Sequence, residues 1–544
     1  MPCPAPKSLT AGIIAAALLA GCGGGSSVLP SSGTADTLTS NKIDTTASLT
    51  TSELQNLLTT EFAGQSALQT MIGAPVCGVQ VDKFTYATVG GAGEATNASG
   101  ALMVPTGTAA ACQGPRPIVV YTHGTAIDRA EDMSAISDPT NPAYGTSTRV
   151  ALIFAAHGYI VVAPNYAGYD VSTLPYHPYL NGAQQSQDVL DSLTAGRQLL
   201  AQLGGSVSDD GKLFVTGYSQ GGYVSMATLQ ALDAQGRPAT AGAPMSGPYA
   251  LAAMGDEIFL GHPNVGGTAY LPLIANSYAH LKTGSIDPTQ MFNPLYPKAV
   301  TLYPGNTDYS GFASLVAAGD VPATALFQSP AGASAPGGFS TSTYPALAAL
   351  PEAAPLGPAG FDPTQYLIAT AFRARYVADV DANPDTGAPI DGSAPNLATT
   401  VPTLPAPPQL MLRQDLKAND LRNYTPSMPL LMCGGLNDPE VLWMQGGAAM
   451  SAVLQSKVAA DPNLKFATLD LDTSAGSAGT YVEHGLDSTA AAAMQATVPQ
   501  VQAAFTGYQA AVVSSQGATI GLEAYHTDAD PYCTVAARTF FDQY

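Results

Sequence analysis

The chain alternates between short, unbroken apolar runs and longer segments in which apolar residues recur at helical spacing. The runs Pro117-Ile118-Val119-Val120-Tyr121, Tyr159-Ile160-Val161-Val162-Ala163 and Lys212-Leu213-Phe214-Val215-Thr216 have the length and continuity of strands buried on both faces of a parallel sheet. So do residues 240–245, Pro429-Leu430-Leu431-Met432-Cys433 and Phe466-Ala467-Thr468-Leu469-Asp470-Leu471, the last two closing the predicted core sheet. Helical spacing is carried by residues 148–157, ending at His157-Gly158, and by 182–203, where Val189, Leu193, Leu199 and Leu200 share a face. Residues 79–88 and 95–104 read as an antiparallel pair turning around Gly90-Gly91, and Thr50-x-x-Glu53 is a capping box that starts a helix from Leu54 onward. Further helices are predicted over 489–512 and, as a short terminal piece, over 534–544. This alternation predicts an α/β fold: a mostly parallel central sheet flanked by helices.

The pattern breaks in two places. Residues 247–425 are rich in Ala, Pro and Gly and lack a strand ladder, although they fall between two core strands. They predict a large, mainly helical inserted cap with loops at 330–338 and 402–408, leaving a core of residues 50–246 and 426–544. At the start, Lys7 precedes an apolar run over 11–20 and then Gly21-Cys22. This is a signal segment too short to span a bilayer. Leu19-Ala20-Gly21-Cys22 resembles the lipobox of bacterial lipoproteins. The resemblance implies cleavage before Cys22, lipid on its thiol and a membrane partner reached through that anchor. Gly23, where an aspartate retains such proteins at the inner membrane, favours the outer membrane. Residues 23–49, rich in Gly, Ser and Thr, read as a flexible tether.

Composition narrows the function classes. With 544 residues, 46% of them hydrophobic, the chain can bury a large core. A formal charge of -21 argues against nucleic acid as a partner and against adhesion to anionic lipid by charge. Cys3 leaves with the signal and Cys22 carries the lipid. Cys77, Cys112, Cys433 and Cys533 remain, an even number in an oxidising compartment, with three pairings open. No C-x-x-C pair or histidine cluster points to a metal, and no cofactor is implied. Asp379, Asp381, Asn383 and Asp385 alternate as calcium ligands often do. However, Pro384 and Ile390 stand where a calcium-binding loop has glycine and glutamate, so a solvated acidic loop is the reading.

The candidate chemistry centres on Gly217-Tyr218-Ser219-Gln220-Gly221. Glycine is abundant enough in this chain for G-x-S-x-G to arise by chance. What gives it weight is its place, after a buried strand and before the helical stretch Gly222-Tyr223-Val224-Ser225-Met226-Ala227-Thr228-Leu229. A sharp turn there lifts the Ser219 hydroxyl above the sheet, and the flanking glycines keep side chains out of the crossing. Together with Tyr121-Thr122-His123-Gly124-Thr125, the stretch 420–426, Cys433-Gly434-Gly435-Leu436-Asn437-Asp438 and Tyr525-His526 through Cys533, this motif resembles the α/β-hydrolase superfamily. Within it the likeness is to bacterial secreted lipoprotein esterases and to secretory lipases with an inserted cap, over residues 78–544.

That resemblance implies a serine ester hydrolase working through a covalent acyl-enzyme on an ester substrate. A peptidase or amidase on the same fold, and a non-catalytic lipid-anchored binding protein, remain alternatives. Ser219 is the expected nucleophile. Backbone N–H groups of Thr125 and Gln220 are the expected oxyanion donors. His123, lying before the nucleophile, is a brace for its loop; His177, His262 and His280 show no partner pattern. Asp438, in a turn after a late strand, is the expected acid, with a cap on a following helix over 439–453 as its simpler role. The order Ser, Asp, His leaves His484 or His526 as base. Cys433 lies just before Asp438 and Cys533 just after His526, so a Cys433–Cys533 bridge would hold acid and base side by side. This favours His526 and the pairings Cys77–Cys112 and Cys433–Cys533. The family likeness of the chain's ending points the same way. His484 stays as the alternative base.

Overall fold

The buried apolar runs assemble into one ten-stranded sheet in the order β1-β2-β3-β5-β4-β6-β7-β10-β11-β12. In this computed structural model, residues 38–39, 43–281, 286–301, 311–331, 337–388, 396–397, 400–405, 407–473 and 480–544 are described. Cys22, the signal segment, most of the tether, residues 332–336 and 406 of the two expected cap loops, and Ile390 lie outside them.

The chain opens with β1 (Asp44–Leu49), α1 (Thr51–Glu61), α2 (Ser66–Ile72), β2 (Gly78–Val89), β3 (Ala95–Thr106), β4 (Gly114–Thr122), α3 (Tyr144–Ile153) and β5 (Ile160–Pro164). α4 (Gly182–Leu203), β6 (Val207–Tyr218), α5 (Gln220–Ala234) and β7 (Ala241–Met245) complete the first part of the core. The capping box is present: Thr50 Oγ1 accepts the Glu53 N–H, and the Glu53 carboxylate accepts the Thr50 N–H at 2.8 Å. β5, β4, β6, β7, β10 and β11 run parallel to one another, and β2 and β3 form the expected antiparallel pair.

Between β7 and β10 the chain leaves the sheet. This insertion holds α6 (Leu251–Phe259), α7 (Gly267–Tyr278), α8 (Phe312–Ala317), β8 (Phe327–Gln328), α9 (Pro345–Ala348), β9 (Phe361–Asp362), α10 (Thr370–Ala382) and α11 (Met411–Ala418). It is mainly helical as expected, but β8 and β9 pair in a small parallel sheet that no apolar run announced. The core resumes with β10 (Leu430–Gly434), α12 (Gly447–Lys457), β11 (Phe466–Asp470), β12 (Tyr481–His484), α13 (Ser488–Gln516) and α14 (Ala518–Phe541).

Four expectations change. Residues 44–49, read as tether, are edge strand β1, held by backbone pairing to β2 with only Ala47 buried, so hydropathy carried no signal. The sheet does not end at β11: the half-buried β12 adds an antiparallel edge. The terminal helix is longer than residues 534–544 and begins at Ala518. Pro531 lies inside it, where proline costs a helix a hydrogen bond, but packing against α13 and the sheet overrides that local penalty. Finally, Asp379 and Asp381 lie on α10, and the acidic residues do not converge. Asp379 accepts the Gln409 and Leu410 N–H groups and faces Arg413, while Asp385 pairs with Arg422. Among the described residues no group of three potential metal ligands occurs, and no helix is long and apolar enough to cross a membrane.

Candidate active site

Ser219 occupies the one-residue turn between β6 and α5 with φ 62° and ψ -124°, a conformation that a non-glycine residue adopts only when its surroundings impose it. The surroundings do so by leaving no room. A Cβ on Gly217 would stand 2.1 Å from Thr122 Oγ1, and one on Gly221 1.9 Å from Thr122 O. Strand β4 therefore lies tight against the turn, and Thr122 Oγ1 ties it to Gly221 O at 2.7 Å. The Ser219 N–H donates to Met245 O at 3.0 Å, and Ser219 O accepts the Tyr223 N–H to start the helix. Gln220 is the first residue of α5, where N–H groups have no carbonyl within the helix to bond.

The turn after β4 brings Gly124 and Thr125 beside this elbow. Gly124 and Thr125 line the same cleft as Ser219, and Thr125 Oγ1 lies 2.8 Å from the Tyr179 hydroxyl. His123 braces the turn. Its Nδ1 is 2.8 Å from Gly124 O, its Nε2 3.3 Å from Asn165 O, and its ring stacks on Tyr166. Burial pulls its pKa down to about 4, so it is neutral. His177, which showed no partner in sequence, is part of this scaffold. Its Nδ1 donates to Ala167 O, and its Nε2 receives the Gln220 side-chain amide at 2.6 Å. Burial lowers it to about 3. It thereby pins the side chain of the residue after Ser219. No local signal links positions so far apart. His262 pairs with Glu257 and His280 stacks on Tyr176, both on or beside the cap.

Asp438 follows β10 and is buried. Its Oδ1 accepts the Glu440 and Val441 N–H groups at 3.0 and 3.1 Å, which fixes a tight turn. It does not cap the expected helix over 439–453, because the chain forms a short 3-10 turn at Trp443–Gln445 and α12 starts only at Gly447. Asp438 Oδ2 accepts from His526 Nδ1 at 2.6 Å and from Ser246 Oγ at 2.8 Å. Ser246 was not legible in the sequence; it too has a positive φ, 41°, at the end of β7.

His526 lies within α14, not in a loop before a terminal helix. With Nδ1 held by Asp438, its Nε2 is buried and without a hydrogen-bond partner. Ser219, Thr125 and His526 line one cleft of about 1280 Å³ of empty space, solvent at its mouth included. Burial alone would depress the imidazole, but the carboxylates of Asp438, Glu440 and Asp530 outweigh it and raise the pKa to about 9. Among these neighbours Asp438 alone is hydrogen-bonded to the ring. Disulfide Cys433–Cys533, with Cα atoms 5.6 Å apart, joins β10 directly to α14, and Cys77–Cys112 closes the second pair.

His484 is not brought to this place. It ends β12, opposite Phe466 at the amino end of β11, whereas Ser219 and Asp438 follow the carboxyl ends of β6 and β10. Four strand spacings, about 19 Å, also separate β12 from β6. The alternative base therefore lies at the other end of the sheet.

A second pocket that also reaches Ser219 runs under the cap. It has about 690 Å³ of empty space, its mouth included, and is walled by Leu251, Met254 and Ile258 of α6, Leu271 and Ile274 of α7, and Leu416 of α11. The site thus has an apolar arm beneath the cap and a polar arm toward α14.

Comparison with known proteins agrees with this architecture. A family model described as the prolyl oligopeptidase family matches residues 145–259. The crystal structure of the rice cell wall degrading esterase LipA from Xanthomonas oryzae is similar with a TM-score of 0.58 and 24% identity, over 82% of this chain and 93% of that one. A ligand-bound form of the same esterase gives 0.57 with the same identity and coverage. Candida antarctica lipase A in its closed state is similar at 14% identity over 72% of each chain, with a TM-score of 0.38. No curated protein sequence matches. The chain has the α/β-hydrolase fold.

Proposed function

We propose that this protein is a serine carboxylic ester hydrolase. The observation that carries the reading is the convergence on one cleft of a strained, glycine-hemmed Ser219 and a His526 whose free Nε2 faces away from its carboxylate partner. In this reading Ser219 attacks the ester carbonyl while His526 takes its proton. Asp438 holds the imidazole in the correct tautomer and stabilises the imidazolium. The N–H groups of Thr125 and Gln220 receive the developing oxyanion. The alcohol leaves with the proton from His526, and water then releases the acid from the covalent acyl-enzyme. The apolar arm under the cap takes the acyl group, and the polar arm the alcohol.

A peptidase reading draws on the prolyl oligopeptidase match, but that match covers the elbow region, which either activity would use. The esterase likeness spans 82% of the chain and supports ester cleavage. Ser219→Ala should remove turnover of short- and medium-chain esters and covalent labelling by a serine-directed phosphonate, with little change in thermal midpoint. Retained turnover would sink the reading, and faster cleavage of a matched amide than of its ester would transfer the protein to the peptidases.

The lipobox supports a second element, an acyl anchor on Cys22 that tethers the enzyme to the cell envelope, at the outer membrane. Cys22→Ser should abolish incorporation of radiolabelled palmitate; a variant that still takes the label refutes the anchor.

A further inference from the structure

The imidazole of His526 faces more carboxylates than a single acid–base pair requires. On its own helix Asp530 lies close, but it is met by Arg149 of α3 at 2.9 Å and accepts the Thr534 hydroxyl. Asp528 is engaged by Gln509. From the elbow comes the Tyr218 ring, 4.9 Å away. From the loop after β4, Asp128 and Glu131 line the outer cleft, Glu131 pushed up to about 8 by burial and by Asp128 and Asp132. From the acid turn come Asp438 and Glu440.

Glu440 differs from the rest. It lines both arms of the site, so it stands where they meet at Ser219. Its N–H donates to Asp438 Oδ1, the oxygen that does not hold His526, so one turn aims both carboxylates. Its carboxylate has no cation paired with it within ion-pair distance among the described residues. Instead it accepts the hydroxyl of Tyr270, on cap helix α7. The cap grips the same turn twice more: Asn264 Nδ2 donates to Glu440 O at 2.8 Å, and the Val265 N–H to Pro439 O at 2.8 Å. Burial raises the Glu440 carboxyl, and the His526 charge and the Tyr270 hydroxyl draw it back down.

We propose that Glu440 is a positioning residue for the hydrolysis, a second carboxylate that shares with Asp438 the stabilisation of the His526 imidazolium and that the cap holds in place through Tyr270. The inference rests on the ester hydrolase reading. Its consequence is directional. Proton abstraction from Ser219 needs a neutral imidazole, so carboxylates that favour the charged form move the rising limb of kcat/KM to higher pH. The same charge stabilises the imidazolium formed during attack. Glu440 therefore trades readiness at neutral pH for a stronger base.

Glu440→Gln keeps the length and can still accept from Tyr270, but removes the charge. Its rising limb should move to lower pH by about half a unit or more, which is about a threefold gain in kcat/KM, relative to its own plateau, well below the limb. Glu440→Met repeats the test with a neutral side chain of similar length if the amide does not fold. Glu440→Asp, which keeps the charge, should return the limb toward the parent. A limb that stays in place or moves to higher pH in the neutral variants overturns the proposal, as does an equal displacement in Glu440→Asp. A parent enzyme without ester turnover refutes the hydrolase reading instead. In that case NMR titration of His526 in parent and Glu440→Gln decides this one, a shared midpoint overturning it.

Discussion

The core and the cap are held together by different physics. In the core, buried strands such as Ile118-Val119-Val120 and Leu430-Leu431-Met432 satisfy their backbone groups in the ladder and pack apolar side chains on both faces. The cap has short helices, two-residue strands and Pro-rich connections, and it is cross-linked by buried guanidinium groups. Arg413 of α11 bonds Asp256 of α6 through Nε at 2.8 Å and the carbonyls of Asp379 and Asn383 at the end of α10. Arg422 clasps Asp385 and Asp420, and Asp420 accepts the Ala252 N–H at the start of α6. Arg373 lies over the rings of Phe327 and Phe361 from the small sheet. Burial without a facing carboxylate close enough to compensate lowers Arg373 to about 9. A core built on apolar ladders tolerates conservative change. A cap built on a few buried ion pairs is specified sharply but fails when one partner is lost. Ser219, Asp438 and His526 sit on the first kind of structure and the apolar pocket is enclosed largely by the second.

The largest expected effect tests the chemistry carried by the core. His526→Ala should lower kcat by about 10⁴-fold or more, as loss of a triad member does. His484→Ala, at the opposite end of the sheet, should leave kcat within about twofold, the range of a surface substitution. Steady-state rates on one ester suffice, and the reverse ranking would place the base on β12.

The next breaks the cap alone. Arg413→Met leaves Asp256 buried without its cation, which costs about 3–5 kcal/mol. Hydrogen exchange should accelerate in α6, α10 and α11 and not in β4 to β7. KM should rise for long-chain esters more than for acetate. Exchange that speeds up uniformly across the sheet would show that core and cap are not separable in this way.

The smallest compares the two disulfides. Replacing Cys433 and Cys533 together by Ala should cost about 2–4 kcal/mol in denaturant unfolding and also lower kcat, because that bridge ties the strand before Asp438 to the helix carrying His526. Removing Cys77 and Cys112 should cost a comparable amount with kcat unchanged, because that bridge joins the entry of β2 to the turn before β4. Equal kcat in both variants would mean that the acid–base geometry is held by the surrounding packing rather than by the covalent link.

How much of this was legible follows the range of the interactions. The buried strands, α4, the capping box and the elbow were readable because each is set by residues within one turn or one strand. That Asp438 and His526 would meet was readable through the cysteines that lie near each of them. β1 and β12 were missed because edge strands are held by backbone bonds and bury little. α14 extends beyond the expected 534–544 because packing holds its first half, Pro531 included, in the helix. The cap's acidic residues read as a solvated loop because sequence does not reveal that Arg413 and Arg422, distant in the chain, would face Asp379 and Asp385.

By itself, then, the sequence determined the alternation of strand and helix, the strained serine between glycines, the insertion point of the cap and the bridge that brings Asp438 and His526 together. These rest on local sterics, on apolar periodicity and on the short reach of a disulfide. Only the tertiary structure decided that His177 pins Gln220, that Ser246 shares Asp438 with His526, and that Glu440 meets Tyr270 of the cap at the junction of the two arms. The physical reason is that these are buried polar contacts between residues far apart in the chain. Each is favoured by the cost of leaving a desolvated donor or acceptor unpaired, and that cost exists only once the core has closed around it.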